Sequence, residues 1–262
     1  LYIPAGLALI ADFHSSKTRS LAIGIHMTGL YMGQALGGFG ATVANEFSWQ
    51  TAFRSFGIIG VFYSVVLIFF LKEKIKAPDL NTVKDKVQKL PIFKGLAVLF
   101  SNISFWIILF YFAVPSLPGW GVKNWLPTLF SENLNIDMSL AGPLSTITIA
   151  ASSFIGVIFG GILSDRWVQK NIRGRVYTSA IGIALTIPAL LFIGFGHSLV
   201  SVIGAACCFG IGFGMFDANN MPILCQFVSS KYRATAYGLM NMTGVFFGAF
   251  ITDFLGRSTD EG

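Results

Sequence analysis

Asp217 is the residue of this 262-residue chain whose setting most calls for chemistry. It stands in a long apolar run, 199–228, eleven residues before Val228. At 1.5 Å of rise per residue that is about 16 Å from the end of a helix. An ionisable side chain at such depth in a bilayer costs roughly 2.5–3.5 kcal/mol on insertion scales, so it normally faces a cavity or a partner. Asn220 follows three residues later on the same helical face, and Pro222 can locally break the helix and free backbone carbonyls. This set suits recognition of a polar solute, with Asp217 as a proton or cation site. A structural hydrogen bond from Asp217 to a neighbouring helix is the alternative. A second set, Tyr111, Trp120, Lys123 and Asn124, occupies a run interrupted by Pro115, Pro118 and Gly119. Lys123 could attract an anion as a point charge, or snorkel to an interface beside Trp120 and Trp125. His26 and Gln34 are polar exceptions in a glycine-rich run, where cavity contact and simple packing both remain open.

The elements that must position these groups are transmembrane helices. Only 11% of residues are charged, 54% are hydrophobic, and mean hydropathy is +0.69. A soluble domain carries about 25% charged residues. A span needs about 20 apolar residues, and the chain supplies one partial run, Leu1–Phe13, and seven full ones. These are Ser20–Val43, Thr51–Leu71, Phe105–Leu126, Leu140–Leu163, Val176–Phe195, Leu199–Val228 and Ala234–Leu255. Barrel strands would instead alternate over about ten residues. Leu80–Leu99 mixes charge and apolar residues at helical spacing and suits a surface-lying helix. Gly29, Gly33 and Gly37 suggest a close helix-packing face.

The basic residues sort by side. Connectors 14–19, 72–94, 164–175 and 229–233 alternate with the spans and hold 15 of the 18 Lys and Arg, leaving Arg54, Lys123 and Arg257. By the positive-inside rule those four are cytoplasmic. The net charge of +6 therefore sets topology and implies no nucleic-acid partner. Two of these connectors repeat one another: 13–25 reads FHSSKTRSLAIGI and 227–239 reads FVSSKYRATAYGL, seven identities in 13 at an offset of 214. So long a period indicates two related halves and not a solenoid. If the copies hold equivalent places, each half has six helices. Residues 1–71 then end the first half (helices 4–6), 72–99 form a basic cytoplasmic linker, and 100–262 carry helices 7–11. The expected fold is an all-α polytopic two-half bundle, truncated at both ends.

Gly161-Ile-Leu-Ser-Asp165-Arg166, followed by Arg173-Gly174-Arg175, resembles the cytoplasmic Gly-x-x-x-Asp-Arg signature of the major facilitator superfamily, at its second position between helices 8 and 9. Asn124-Trp125-Leu126-Pro127-Thr128, and Ala11-Asp12-Phe13 with Arg19 and Gly24, resemble its anion:cation symporter and sugar-acid branch. Phe216-Asp217-Ala218-Asn219-Asn220-Met221-Pro222 is similar to bacterial sugar and spinster-like carriers. Gln34 stands where drug:proton antiporters have proline. The resemblance implies that helices 7 and 10 line a solute path touched by Asp217, Asn219, Asn220, Tyr111, Lys123, Asn124, Gln34 and His26. It also implies a cytoplasmic latch built from Asp12, Arg19, Gly161, Asp165, Arg166, Arg173, Arg175 and Arg233.

Enzyme chemistry is unsupported: the sequence has no His/Glu metal pair, phosphate-cradling loop or nucleophile elbow. Cys207, Cys208 and Cys225 share one apolar run and suggest neither disulfides nor a metal site. No cofactor is expected. The resemblance implies secondary active transport of a sugar, sugar acid or organic anion by proton or sodium symport, in a monomer of the bacterial inner membrane. Export of amphipathic compounds and non-transporting sensing are the competing expectations.

Overall fold

The computed structural model describes residues 2–70, 92–196 and 198–261. Among them the regular structure is helical throughout. In chain order the helices are α1 (Tyr2–Phe13), α2 (Arg19–Gly37), α3 (Gly40–Glu46), α4 (Trp49–Phe70), α5 (Ile92–Phe100), α6 (Ile103–Leu134), α7 (Met138–Val168), α8 (Gly174–Phe195), α9 (Leu199–Asp217), α10 (Asn220–Phe227) and α11 (Arg233–Glu261). Six stretches are long and apolar enough to cross a membrane: α4, α6, α7, α8, α9 with α10, and 230–258. The sequence suggested seven full spans. The difference is α2, whose His26, Gln34 and glycines lower its hydropathy, and which stops at Gly37 before the separate α3. Of the surface helix expected over 80–99, the part from 80 to 91 lies outside the described residues, and α5 occupies the remainder.

Two proline expectations are corrected. Pro115, Pro118 and Pro127 all lie inside α6, which runs unbroken for 32 residues. Proline removes a donor and crowds the preceding turn, yet a packed membrane helix tolerates it where other groups satisfy the freed backbone. In the span Leu199–Phe227 the chain does break, but at Ala218-Asn219, ahead of Pro222. Pro222 is then the third residue of α10, a first-turn position that has no intrahelical partner for its amide.

α7 is the centre of the bundle, with α2 on one side and α9 on the other. Glycine permits both approaches. A Cβ at Gly24 would sit 2.7 Å from the Val157 carbonyl oxygen, and one at Gly161 would sit 2.9 Å from Leu21 Cα. On the other side, a Cβ at Gly156 would sit 2.2 Å from the Ile211 carbonyl oxygen. The expected ladder of Gly29, Gly33 and Gly37 meets nothing within 4 Å among the described residues. Among those residues α2 packs through the face bearing Gly24, rotated away from that ladder. Gly156→Ala is accordingly expected to destabilise by about 1–3 kcal/mol through overpacking against backbone. Gly29→Ala should be neutral or slightly stabilising, by up to about 1 kcal/mol from helix propensity. Unfolding midpoints in detergent compare the two. Equal shifts would contradict this assignment of faces.

The repeated turns have one construction. Arg19 opens α2 and donates to the carbonyls of Ala11 (3.1 Å) and His14 (3.2 Å). Arg233 opens α11 and donates to those of Cys225 (3.3 Å) and Val228 (3.2 Å). Each pair of partners is related by the same 214-residue offset. In both turns one arginine ties the end of the preceding helix to the start of the next, satisfying carbonyls that a helix C-terminus leaves free. At the opposite end of the bundle, the Asp137 side chain accepts from the Ser139 amide and caps α7. Hydrogen bonding by Ser139 holds this exposed carboxyl below its usual range.

Candidate functional site

A cavity of about 210 Å³ lies where α1, α2, α6, α9 and α11 converge. Its polar lining is Tyr31 and Gln34 of α2, Ser116 and Lys123 of α6, Asp217 of α9, and Tyr237 and Asn241 of α11, with Trp120 and Phe213 among its walls. Asp217 is the last residue of α9, so the break that follows turns its carboxylate out of the helix ladder. Both oxygens are engaged: Oδ2 accepts from Tyr31 Oη at 2.6 Å, and Oδ1 accepts from Asn220 Nδ2 at 3.2 Å. The tyrosine bond is short, as expected for a neutral donor on a carboxylate. It joins two residues 186 apart in sequence. Lys123 places its ammonium 4.8 Å above the Phe213 ring centroid and 5.9 Å above that of Tyr31. Such cation–π contacts hold a cation in a partly dry site without neutralising it. The cavity therefore combines a caged cation with a hydrogen-bonded anion.

The remaining candidates are distributed differently. Asn220 is fully buried behind Asp217. Asn219 is also buried, and its side chain bonds Ser164 and the Met215 carbonyl, on the far side of the break from the cavity. The Tyr111 ring packs against Phe216 at 5.4 Å. Asn124 faces α11 and donates to Thr252 at 2.9 Å. His26 lines a separate space of about 470 Å³ with Tyr2, Tyr63 and Ser64. Gln34 alone of the α2 candidates reaches the central cavity. A third space, of about 480 Å³, is walled by apolar groups such as Leu117, Val122, Ile193 and Leu255, and offers no charge to a polar solute. Among the described residues, no three His, Cys, Asp or Glu side chains stand together as metal ligands.

Tyr31 was not singled out by sequence, because a tyrosine in an apolar helix usually marks a packed core or an interface. A depth comparison would have found it. Tyr31 stands twelve residues from Arg19, about 18 Å from the basic end, and Asp217 stands about 16 Å from it. Ser116, Tyr237 and Asn241 carry no comparable signal.

Ion pairs close the basic end. Arg175 (1% exposed) meets Asp165 (6%) at 3.3 Å. Asp165 also accepts the amides of Ser20 (3.2 Å) and Leu21 (2.9 Å), and so caps the N-terminus of α2 from α7. That location suits an anion, since amide donors and the helix dipole converge there. Arg175 further donates to the Ser16 carbonyl at 2.6 Å. Gly161 lets α7 come this close to Leu21. A second pair, Arg233–Asp12 at 3.1 Å, ties α11 to α1. Arg19 makes its contacts within its own turn, while Arg166 and Arg173 are exposed.

Long apolar helices packed about a charged central cavity define an integral membrane protein of all-α architecture. The chain belongs to the Major Facilitator Superfamily, whose family model matches residues 1–252. It is 28% identical to the hexuronate transporter of Bacillus subtilis, over 93% of this chain and 64% of that protein. It is 27% identical to a probable nitrate transporter of Staphylococcus epidermidis, over 94% and 59%. A probable chloroplastic anion transporter of Arabidopsis thaliana is 24% identical over 97% and 52%. The chain thus spans less than two thirds of the length of each. Among solved structures, a bacterial homologue of the human lysosomal transporter Spinster, inward-facing and unoccupied, matches with a TM-score of 0.62 at 19% identity. That likeness covers 93% of this chain and 56% of the other and concerns the fold. The family and these relatives are transporters and not enzymes.

Proposed function

We propose that the whole protein is a secondary transporter that moves a small anion, organic or inorganic, by alternating access, with Lys123 meeting the solute's charge. The observation that carries this reading is the placement of Lys123 and Asp217 on opposing elements of one central cavity at the junction of the halves. A lysine held there over aromatic rings attracts an anion more strongly than the same charge in water, because the surroundings screen less. Asp217, bridged to Tyr31 on the other half, is the coupling site for a proton or sodium ion. The hexuronate, nitrate and anion carriers to which the chain is similar agree with an anionic solute. The distribution of Lys and Arg supports an orientation with the basic connectors in the cytoplasm.

The test is uptake of radiolabelled hexuronate and of nitrate by the full-length protein in proteoliposomes, under imposed proton or sodium gradients. Gradient-driven accumulation of either is expected. Export of amphipathic dyes without anion uptake would overturn the reading. Lys123→Met should raise the KM for an anionic solute on the order of tenfold, and Lys123→Arg should recover part of the loss. An unchanged KM in Lys123→Met would remove this residue from the solute site.

A further inference from the structure

Asn219 is the N-cap residue of α10, yet its side chain makes no capping bond. Asparagine is favoured at that position for the bond to the following amides, so its diversion is informative. Its Nδ2 donates to the Met215 carbonyl at 2.9 Å, which turns Oδ1 toward α7, where the Ser164 hydroxyl donates to it. Ser164 Oγ is in turn 3.4 Å from Ser20 Oγ, and Ser20 Oγ accepts from Arg175 Nε at 3.1 Å. Asn219, Ser164 and Ser20 are fully buried, and Arg175 is nearly so. The direction of the chain follows from its ends. A guanidinium only donates, and an amide group facing a carbonyl must present its NH2 there. Each proton therefore points one way: from Arg175 to Ser20, to Ser164, to Asn219, and on to the backbone at the end of α9.

This chain closes a ring. Ser20 and Tyr31 lie on the same helix α2, eleven residues or about 16 Å apart. Tyr31 holds Asp217 on the cavity side of the break, and Ser20 is held through Ser164 to Asn219 on the other side. A shift of α2 against α9 must strain both contacts, since the connecting segment is a single helix.

We propose that Asn219 and Ser164 are positioning residues that couple the state of Asp217 to closure of the basic end at Arg175–Asp165. The coupling rests on the transport reading above for its purpose, but its test does not depend on the solute. When α2 is released from Asp217, the ring loosens at Ser20 and the capped N-terminus of α2 separates from Asp165. Neither residue touches the solute; both act through the break.

Cys225 is a built-in reporter, because it is 9% exposed at the basic end and its carbonyl is held by Arg233. In the full-length protein with Cys207→Ala and Cys208→Ala, the rate of Cys225 alkylation by N-ethylmaleimide measures opening of that end. Ser164→Ala and Asn219→Ala are each expected to raise it on the order of tenfold, within the range of ordinary intramolecular couplings. Ser164→Thr keeps the hydroxyl and should stay near the parent rate. The double variant Ser164→Ala/Asn219→Ala should match either single one, since both remove the same link. In liposomes the single variants should retain solute self-exchange while losing net accumulation. Parent alkylation rates in both single variants, or effects that add independently, would overturn the proposal. Absence of any gradient-driven anion flux in the parent would instead overturn the function proposed above, while the alkylation rates still decide the coupling.

Discussion

Asp217→Asn is expected to abolish gradient-driven accumulation, by about 100-fold or more, while leaving the protein inserted and folded. Asparagine keeps the shape and an acceptor for Tyr31 Oη, so the contact that survives is a neutral hydrogen bond in place of a charge-assisted one at 2.6 Å. The stability cost should be about 1–2 kcal/mol. What is lost, on the proposed function, is the ability to gain and release a charge in the central cavity. Self-exchange of solute across the membrane should persist, because Lys123 and the cavity walls remain. Measuring counterflow and net uptake in the same vesicles separates the two effects. Wild-type accumulation with wild-type pH and sodium dependence in Asp217→Asn would exclude Asp217 as the coupling group. Tyr31→Phe serves as the matching control, since it keeps the carboxylate but removes its bond to α2.

The second large effect is structural. Asp165→Ala leaves Arg175, 1% exposed, without a counter-charge, and strips the cap from the Ser20 and Leu21 amides. Removing one partner of a buried pair costs about 3–5 kcal/mol, because the remaining charge stays desolvated. The unfolding midpoint should fall accordingly, and the basic end should open. Asp165→Leu combined with Arg175→Met should recover much of that loss, since replacing both charges leaves none stranded. By contrast, breaking the Arg257–Asp253 pair, which is 76% and 63% exposed, should change stability by no more than about 0.5 kcal/mol. A midpoint for Asp165→Ala within a degree of the parent would show that the buried pair is dispensable.

Much of the architecture is legible in the chain because hydropathy is a local property. A run such as 176–195 has few conformations open to it in lipid other than a helix, since every backbone group must be satisfied within the segment. The repeated turn was legible for a related reason. Arg19 and Arg233 each reach back five and eight residues, so identical local sequence builds identical local contacts. Prolines were less informative. Three of them sit inside α6 without ending it, whereas the chain breaks between α9 and α10 at Ala218-Asn219, where no proline stands. In a packed bundle, neighbouring groups decide whether a missing donor matters.

The sequence by itself determined the membrane class, the superfamily, and the gathering of basic residues into a few connectors. These depend on composition and order. It did not determine which face of each helix is turned inward. Among the described residues Gly29, Gly33 and Gly37 meet no neighbour within 4 Å, whereas Gly24 carries the contact with α7. Asn124 is turned to Thr252, and Tyr31 is turned to Asp217. Helix rotation is the sum of many weak packing contacts made by residues far apart in the chain, each worth a few tenths of a kcal/mol. No single residue announces that sum. Only the tertiary structure could bring Tyr31 to Asp217 and turn Asn219 away from its own helix toward Ser164.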